Sequence, residues 1–599
     1  MAVTPRPASA GSHTKRGILM AFDRIRFTKR MMVSLLAASC STLALAADPQ
    51  AGGVLRIVGT ADIDHFDPTS AALVTSNNFM RAVSRQLISY EASTDENLRI
   101  EPKGDLVTEV PQPSNGGLTY TFTLRDGVAW NTPTGARPIV AADFERGMKR
   151  MCNPALGSAA LTYYVDLIKG MSAFCEGFAK VEPTVEVMKA YVEGNDIEGI
   201  ETPDDKTIVI HLTETAGDFV YMLSLPTAAP APIEVLDYLP DGPDYRSNFI
   251  SSGPYTVDEY VPDGRIHLVR NPAWKTESDT LRKAYVDEVD ITLGIQPDAA
   301  IQQLQAGDAD MTYDITIPPA TLHLLTAGGD DKLLTMSVGR TAFLFVNTVS
   351  DNNNGALKDI KVRQAIQYAI DKAAIVQQMG GSTLAQPQNG IFGPGVLGYH
   401  EFDLYPSEGA KGDPEKAKAL LAEAGFPNGI KLKMPYRNQN DLPAIAQTIQ
   451  ASLKKAGIEI ELTPVAAADY YSKFMTNPLN TKEGNWDIAP VGWSPDWVGG
   501  AARSVFQPQF TFNGTHQTYN YTDYNNPEAN KIAQQAINAT TSAEAARLWG
   551  EVDQLVMKDA PVVPYVAEKI VLYRGAAVQN FQPYALGAQG DWTNVWLER

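Results

Sequence analysis

The sequence predicts a mixed α/β protein of two or three domains, and three observations carry that prediction. Segments alternating apolar and polar residues at period two interleave with segments of helical period along the whole chain. A strand, an amphipathic helix and a second strand follow one another between residues 430 and 462. The 599 residues exceed what one hydrophobic core organises. Composition is evenly globular with no low-complexity linker, so the domains should interleave through several chain crossings.

Taken in order, residues 53–60 form a β-rich start that ends in Asp62-Ile63-Asp64-His65-Phe66-Asp67-Pro68. Three acids and a histidine suggest a metal, but Asp-Pro is an ordinary turn signal, and the turn is the reading adopted. Leu118, Tyr120, Phe122 and Leu124 alternate and stop at Asp126-Gly127, a half-buried strand running into a turn. Residues 141–150 read as a helix, with Asp143 in the first turn and Lys149 and Arg150 in the last, as the macrodipole favours.

The run 359–380 places Val362, Ala365, Ile366, Ala369 and Ile370 at spacings of three and four, predicting one core-facing helix capped by Asp359 and stopped at Gly380 or Gly381. Asp413-Pro414 opens another helix that ends before Gly425. Then Ile430, Leu432 and Met434 alternate, 441–456 is amphipathic, and Ile458, Ile460 and Leu462 alternate again, a parallel βαβ unit. Ligands of such units sit beyond the carboxyl ends of the strands, which makes Pro435-Tyr436-Arg437-Asn438 a candidate pocket wall, with a solvated loop base as the alternative for Arg437.

At the amino end, Arg24, Arg26, Lys29 and Arg30 precede an apolar run, 31–46, closing in Ala44-Leu45-Ala46, the pattern of a secretory signal peptide over residues 1–46. Leu36-Ala37-Ala38-Ser39-Cys40 also resembles a lipoprotein box, but the apolar run continues past Cys40 and favours cleavage after Ala46 over a lipid anchor. Cleavage removes seven basic residues and one acid, so 50 basic against 69 acidic residues becomes 43 against 68. A chain so acidic should repel nucleic acid and anionic membrane. Export puts the remaining Cys152 and Cys175 in an oxidising compartment, where one disulfide between them is expected.

An enzyme would need a reactive group, and the familiar arrangements are absent: there is no G-x-S-x-G, H-E-x-x-H, Walker loop or C-x-x-C, and the seven histidines stand singly. No cofactor or metal site is expected. Carboxylate pairs are abundant, so a secreted hydrolase using such a pair stands as the alternative of a different class.

Gly492-Trp493-Ser494-Pro495-Asp496-Trp497 follows an apolar strand, 488–491, and brackets one carboxylate with two indoles. That combination suits a cationic amine: the charge-assisted hydrogen bond contributes about 1.5–3 kcal/mol, and a facing indole about 0.5–2 kcal/mol. The alternative is a strand end whose tryptophans pack while Asp496 caps a turn.

In succession, Leu124-Arg125-Asp126-Gly127-Val128 with Trp130, Ala141-Ala142-Asp143-Phe144, Ser252-Gly253-Pro254-Tyr255, Arg270-Asn271-Pro272, residues 304–310, Val362-Arg363-Gln364-Ala365 with Ala369-Ile370-Asp371, residues 417–425 and residues 521–527 make a pattern. It resembles the exported solute-binding proteins of ABC importers, in the family-5 group that takes dipeptides, oligopeptides and nickel complexes. The resemblance runs from about Gly53 to the C-terminus and implies a periplasmic binding protein type II-like fold, two α/β lobes joined by a hinge plus an inserted third domain. It implies domain I from 47–84, 200–295 and 556–599, an insert at 85–199 holding both cysteines, and the second lobe at 296–555.

The same resemblance implies a periplasmic monomer, not an enzyme, that captures a short peptide and delivers it to an inner-membrane permease. Other small solutes of the same kind of protein are a nickel chelate, an opine-like amino acid conjugate or an oligosaccharide. In peptide-binding members an aspartate after a tryptophan in this late motif pairs with the peptide amino group, and Asp496 and Trp493 occupy those positions. Trp497 would complete the wall, and Arg437 or Arg503 would meet the carboxylate. The continuation Val498-Gly499-Gly500-Ala501-Ala502 departs from the acid and proline common in peptide binders, which implies a reshaped loop.

Overall fold

Val54–Val58 lies parallel to Glu288–Thr292 on one side and to Met311–Thr312 on the other, and Arg265–Arg270 and Tyr255–Val261 extend the sheet antiparallel. This is the sheet of the first lobe in the computed structural model, which describes residues 48–599 except 72–74, 157, 159, 241, 440, 467–468, 476, 512–518, 523 and 588. The expected leader, Cys40 included, lies outside the described residues. Leu55 and Ile57 enter a core with Ile266, Val289, Ile291 and, from the far end of the chain, Trp592 and Val595.

The acids of the 62–67 segment have structural partners. Asp62 accepts from Tyr260 Oη at 2.7 Å, Asp64 accepts from Ser76 Oγ at 2.6 Å, and buried Asp67 is bound by the Arg150 guanidinium.

The insert forms around Thr119–Thr123, paired antiparallel with Thr207–His211, which pairs in turn with Ile200–Glu201. Tyr120 and Phe122 face inward, as their alternation requires, while Thr121 and Thr123 are exposed. Helix Ala141–Met151 begins where the Asp143 carboxylate accepts the Val140 N–H at 3.1 Å and the Trp130 indole N–H at 2.8 Å. A disulfide joins Cys152 at its end to Cys175 in helix Met171–Phe178.

Thr207–His211 completes the sheet of Thr119–Thr123, and the core around that sheet continues through Phe219 and Met222 to Ile250. Met311–Thr312 joins the sheet of Val54–Val58.

The second lobe has a four-stranded antiparallel sheet ordered Ala385–Pro387, Val562–Tyr573, Leu333–Val346, Ile488–Trp493. Beside it stands the βαβ unit, Ile430–Arg437, Leu442–Lys455 and Ile458–Val465, with its strands parallel and Ile430 opposite Ile458. Leu333–Val346 and Val562–Tyr573 are long because they pass between lobes. Tyr573 packs with Val58 and Ile301 at one end, and Leu344, Val346 and Val563 pack in the second-lobe core at the other. Midway the pairing slips between Ser337 and Thr341, and Gly339 takes a φ of 71°.

The helix expected over 359–380 is two helices, Ile360–Ala369 and Lys372–Gln378. Asp359 caps the first by accepting the Lys361 N–H at 2.8 Å, as expected, but Ile370 is extended and Asp371 caps the second through the Ala374 N–H at 2.9 Å. Ser452, from the βαβ helix, makes the break tenable: its Oγ donates to Ala369 O at 2.8 Å and accepts the Asp371 N–H at 2.7 Å.

Candidate ligand-binding cavity

A cavity of about 780 Å³ opens where these parts meet. Asn77 and Asp314 line it from the first lobe, Arg99, Ile100, Tyr163 and Leu225 from the insert, Met336–Gly339 and Lys569–Val571 from the crossing strands, and Ser494–Val498 from the end of strand Ile488–Trp493.

The 493–500 loop is held in place by both sides. The Asp496 N–H donates to Ser504 Oγ at 3.1 Å, Ser504 O accepts the Trp493 indole N–H at 3.1 Å, and Arg340 Nη1 donates to Ser494 Oγ at 3.2 Å. From the insert side, Tyr90 Oη donates to Val498 O at 3.0 Å. The glycine pair explains the departure in sequence. Gly499 takes a φ of 73°, and a Cβ on Gly500 would sit 2.5 Å from Cδ2 of the Tyr221 ring, so the loop can lie against that ring only without side chains here.

Asp496 is open to the cavity, its carboxylate accepts no hydrogen bond and it forms no ion pair among the described residues. The residue is exposed to the cavity, and the protein walls around it partly desolvate the carboxyl without supplying a cation, which pushes it up to about 6. Burial and that nearby charge push the Tyr163 phenol up to about 12. Trp497 is buried against Tyr163, ring centroids 5.4 Å apart and edge to face, and its indole N–H finds no acceptor among the described residues.

Of the residues expected at the site, the structure brings Asp496 and Trp497 together on the cavity wall and separates the others. Trp493 points to the other side of its strand end, its ring 5.0 Å from that of Tyr519, so it supports the loop from behind. Arg437 lies over the Tyr471 ring at 5.1 Å and lines a small separate cavity of about 50 Å³. Arg503 lies over the far side of the Trp497 ring at 5.9 Å, outside the cavity lining, with its Nε donating to Asp218 Oδ2 at 2.9 Å. Neither arginine lines the main cavity. The cations that do are Arg99 and Lys569, which nothing local in the sequence distinguishes from surface bases.

The profile of bacterial extracellular solute-binding proteins, family 5 Middle, matches residues 101–504. Heme-binding protein A of Haemophilus influenzae is 28% identical over 522 residues, covering 83% of this chain and 84% of that protein. The periplasmic oligopeptide-binding protein OppA of the same organism is 23% identical over 545 residues, covering 88% and 90%. Among solved structures, clavulanic acid biosynthesis oligopeptide binding protein 2 superposes with a TM-score of 0.77 at 26% identity, covering 92% of this chain and 96% of that one.

The chain belongs to the bacterial extracellular solute-binding proteins of family 5. Its fold is theirs, type II-like, with two α/β lobes joined by a hinge and an inserted third domain. The relatives are named as binding proteins, not enzymes. Among the described residues no helix is long and apolar enough to cross a membrane.

Proposed function

We propose that this protein is the extracytoplasmic substrate-binding component of an ABC importer, capturing short peptides between its lobes and passing them to an inner-membrane permease without making or breaking bonds. The observation that carries this reading is Asp496, a carboxylate kept in a protein-walled cavity with no cation of its own. A peptide ammonium supplies the missing charge, Trp497 and Tyr163 wall that end, and the apolar lining takes side chains. Similarity to oligopeptide-binding relatives supports the ligand class. A ligand that touches both lobes binds their closed arrangement better, and only that difference shifts the population. The 1–46 leader supplies export, with removal after Ala46.

A second reading is favoured by the aliphatic lining, which includes Ile100, Leu225, Ile315 and Ile570: a larger apolar ligand such as the heme in one relative's name. Native mass spectrometry of protein purified without refolding separates the two. Peptide masses support the proposal, and a porphyrin mass or a sugar replaces it.

A further inference from the structure

We propose that Arg99 and Lys569 form an anion-accepting subsite in the main cavity, taking the carboxylate of the same ligand whose ammonium Asp496 receives. This rests on the peptide reading and names the second pole of that site.

Both cations line the cavity, and neither donates a hydrogen bond to a carboxylate among the described residues. Arg99 is 4% exposed, yet of its five N–H donors the structure assigns only one well-formed hydrogen bond, from Nη1 to Ser93 O at 3.1 Å. Its acid neighbour, Glu96, stands 3.8 Å from Nη2, beyond hydrogen-bond reach, and Glu96 Oε1 is itself buried without a donor. Burial lowers the Arg99 guanidinium and raises the Glu96 carboxyl, and their mutual attraction offsets only part of that. Lys569 donates from Nζ only to Ser382 O, at 3.3 Å, and makes no ion pair among the described residues.

The neighbouring arginines behave differently. Arg340 is paired with Glu568 at 2.9 Å and Arg503 with Asp218 at 2.9 Å. Asp314, Asp441 and Asp496 line the same cavity, so its charges are mixed, and Arg99 and Lys569 are the cations in it that donate no hydrogen bond to a carboxylate among the described residues. A planar guanidinium and a point ammonium together suit a carboxylate. Arg99 belongs to the insert and Lys569 to a crossing strand, so a bound carboxylate also ties those two parts together. With Asp496 at the other pole and aliphatic residues lining the same space, the ligand class is a zwitterionic peptide with apolar side chains.

The test is calorimetric titration of the full mature chain with leucine peptides of two to five residues, each also as its C-terminal amide and its N-acetyl form. Amidation should weaken the best binder about tenfold or more, the loss of a charge-assisted hydrogen bond. In Arg99→Gln/Lys569→Gln the acid and amide should bind within about twofold of each other, while N-acetylation keeps its full penalty. Because Arg99 is buried, Lys569→Gln alone serves if the double variant fails to fold, and it must shrink the amidation penalty by about threefold. An amidation penalty that is absent in the natural protein, or unchanged in Lys569→Gln, overturns the subsite and leaves the peptide reading standing if N-acetylation still weakens binding. If no peptide of the set binds at millimolar concentration, both are overturned.

Discussion

Arg503 and Asp218, 285 positions apart in the chain, meet at 2.9 Å across the junction between the second lobe and the insert. Asp218 Oδ1 remains buried without a donor, and burial raises the Asp218 carboxyl even with the guanidinium beside it. The pair therefore sustains a buried charge, and Arg503 is committed to it. Replacing Arg503 by Ala should cost about 2–4 kcal/mol, the lower side of the usual loss for breaking a buried pair because Arg503 is partly exposed. Urea denaturation measures that cost. Peptide binding per mole of folded protein should keep its amidation penalty; its loss would make Arg503 the carboxylate partner after all.

Asp496 sets the pH dependence of capture. Desolvation pushes its carboxyl up to about 6 from the ordinary 3.8, and only the ionised form pairs with an ammonium. Affinity for an amine ligand should be full at pH 7.5 and fall as pH drops through 6, by about tenfold at pH 5. Asp496→Asn should weaken binding about tenfold or more at pH 7.5 and flatten the profile. A profile that keeps its slope in the Asn variant would remove Asp496 from the amine site.

A buried network fixes the first lobe to the insert. Asp105 accepts from Arg85 Nε at 2.7 Å and from both terminal nitrogens of Arg282, at 3.0 and 2.8 Å, and Asp279 reaches the same two arginines. Desolvation pushes against ionisation here, but the two guanidiniums prevail and hold both carboxyls below the ordinary range. Asp591, against Arg81, is lowered likewise. Stability from such groups is complete above about pH 4 and drains away as pH falls through their depressed values. Thermal unfolding followed from pH 6 to pH 2 should show that loss, and Asp105→Asn, leaving two buried guanidiniums short of charge, should cost about 3–5 kcal/mol at pH 7.

Asp553 has the opposite sign. It is fully buried, accepts the Ile391 N–H at 2.8 Å through Oδ1, and leaves Oδ2 without a donor, so burial pushes its carboxyl up to about 7 from 3.8. Above pH 7 the folded protein bears the cost of that charge, and the cost disappears as pH falls from 7 towards 4. Asp553→Asn keeps the acceptor and removes the charge, and should raise stability at pH 8 by about 1–3 kcal/mol and at pH 5 by about a third as much. Equal changes at both pH values would mean that repacking, not charge, decides the outcome.

Gly500 tests the loop against Tyr221. An alanine there must displace the ring, so Gly500→Ala should cost about 1–3 kcal/mol and shift the Asp496 loop, weakening peptide binding beyond its effect on folding. Unchanged affinity in the folded fraction would show that the loop position is set elsewhere.

Most elements were legible in the sequence because their signals are local. Period-two alternation located Thr119–Thr123 and both strands of the βαβ unit, and Asp359 and Asp413 capped the helices that their positions announced. The interruption at Ile370-Asp371 was not legible, since the apolar spacing runs straight through it and the group that satisfies the freed backbone, Ser452, lies 81 residues from Asp371. The pairing of Thr207–His211 with Thr119–Thr123 and of Met311–Thr312 with Val54–Val58 was not legible for the same reason, since the partners lie far apart in the chain.

The sequence by itself determined the alternating elements, the acidic balance, the missing catalytic motifs and the carboxylate bracketed by tryptophans. Only the tertiary structure decided which charges are left for a ligand. Arg503 and Arg99 look alike as residues, yet one is hydrogen-bonded to Asp218 at 2.9 Å and the other stands 3.8 Å from Glu96, an ion pair without a hydrogen bond. Charge compensation is a property of three-dimensional neighbours: a cation's availability is fixed by what lies within a few ångströms of it, and chain order does not record that distance.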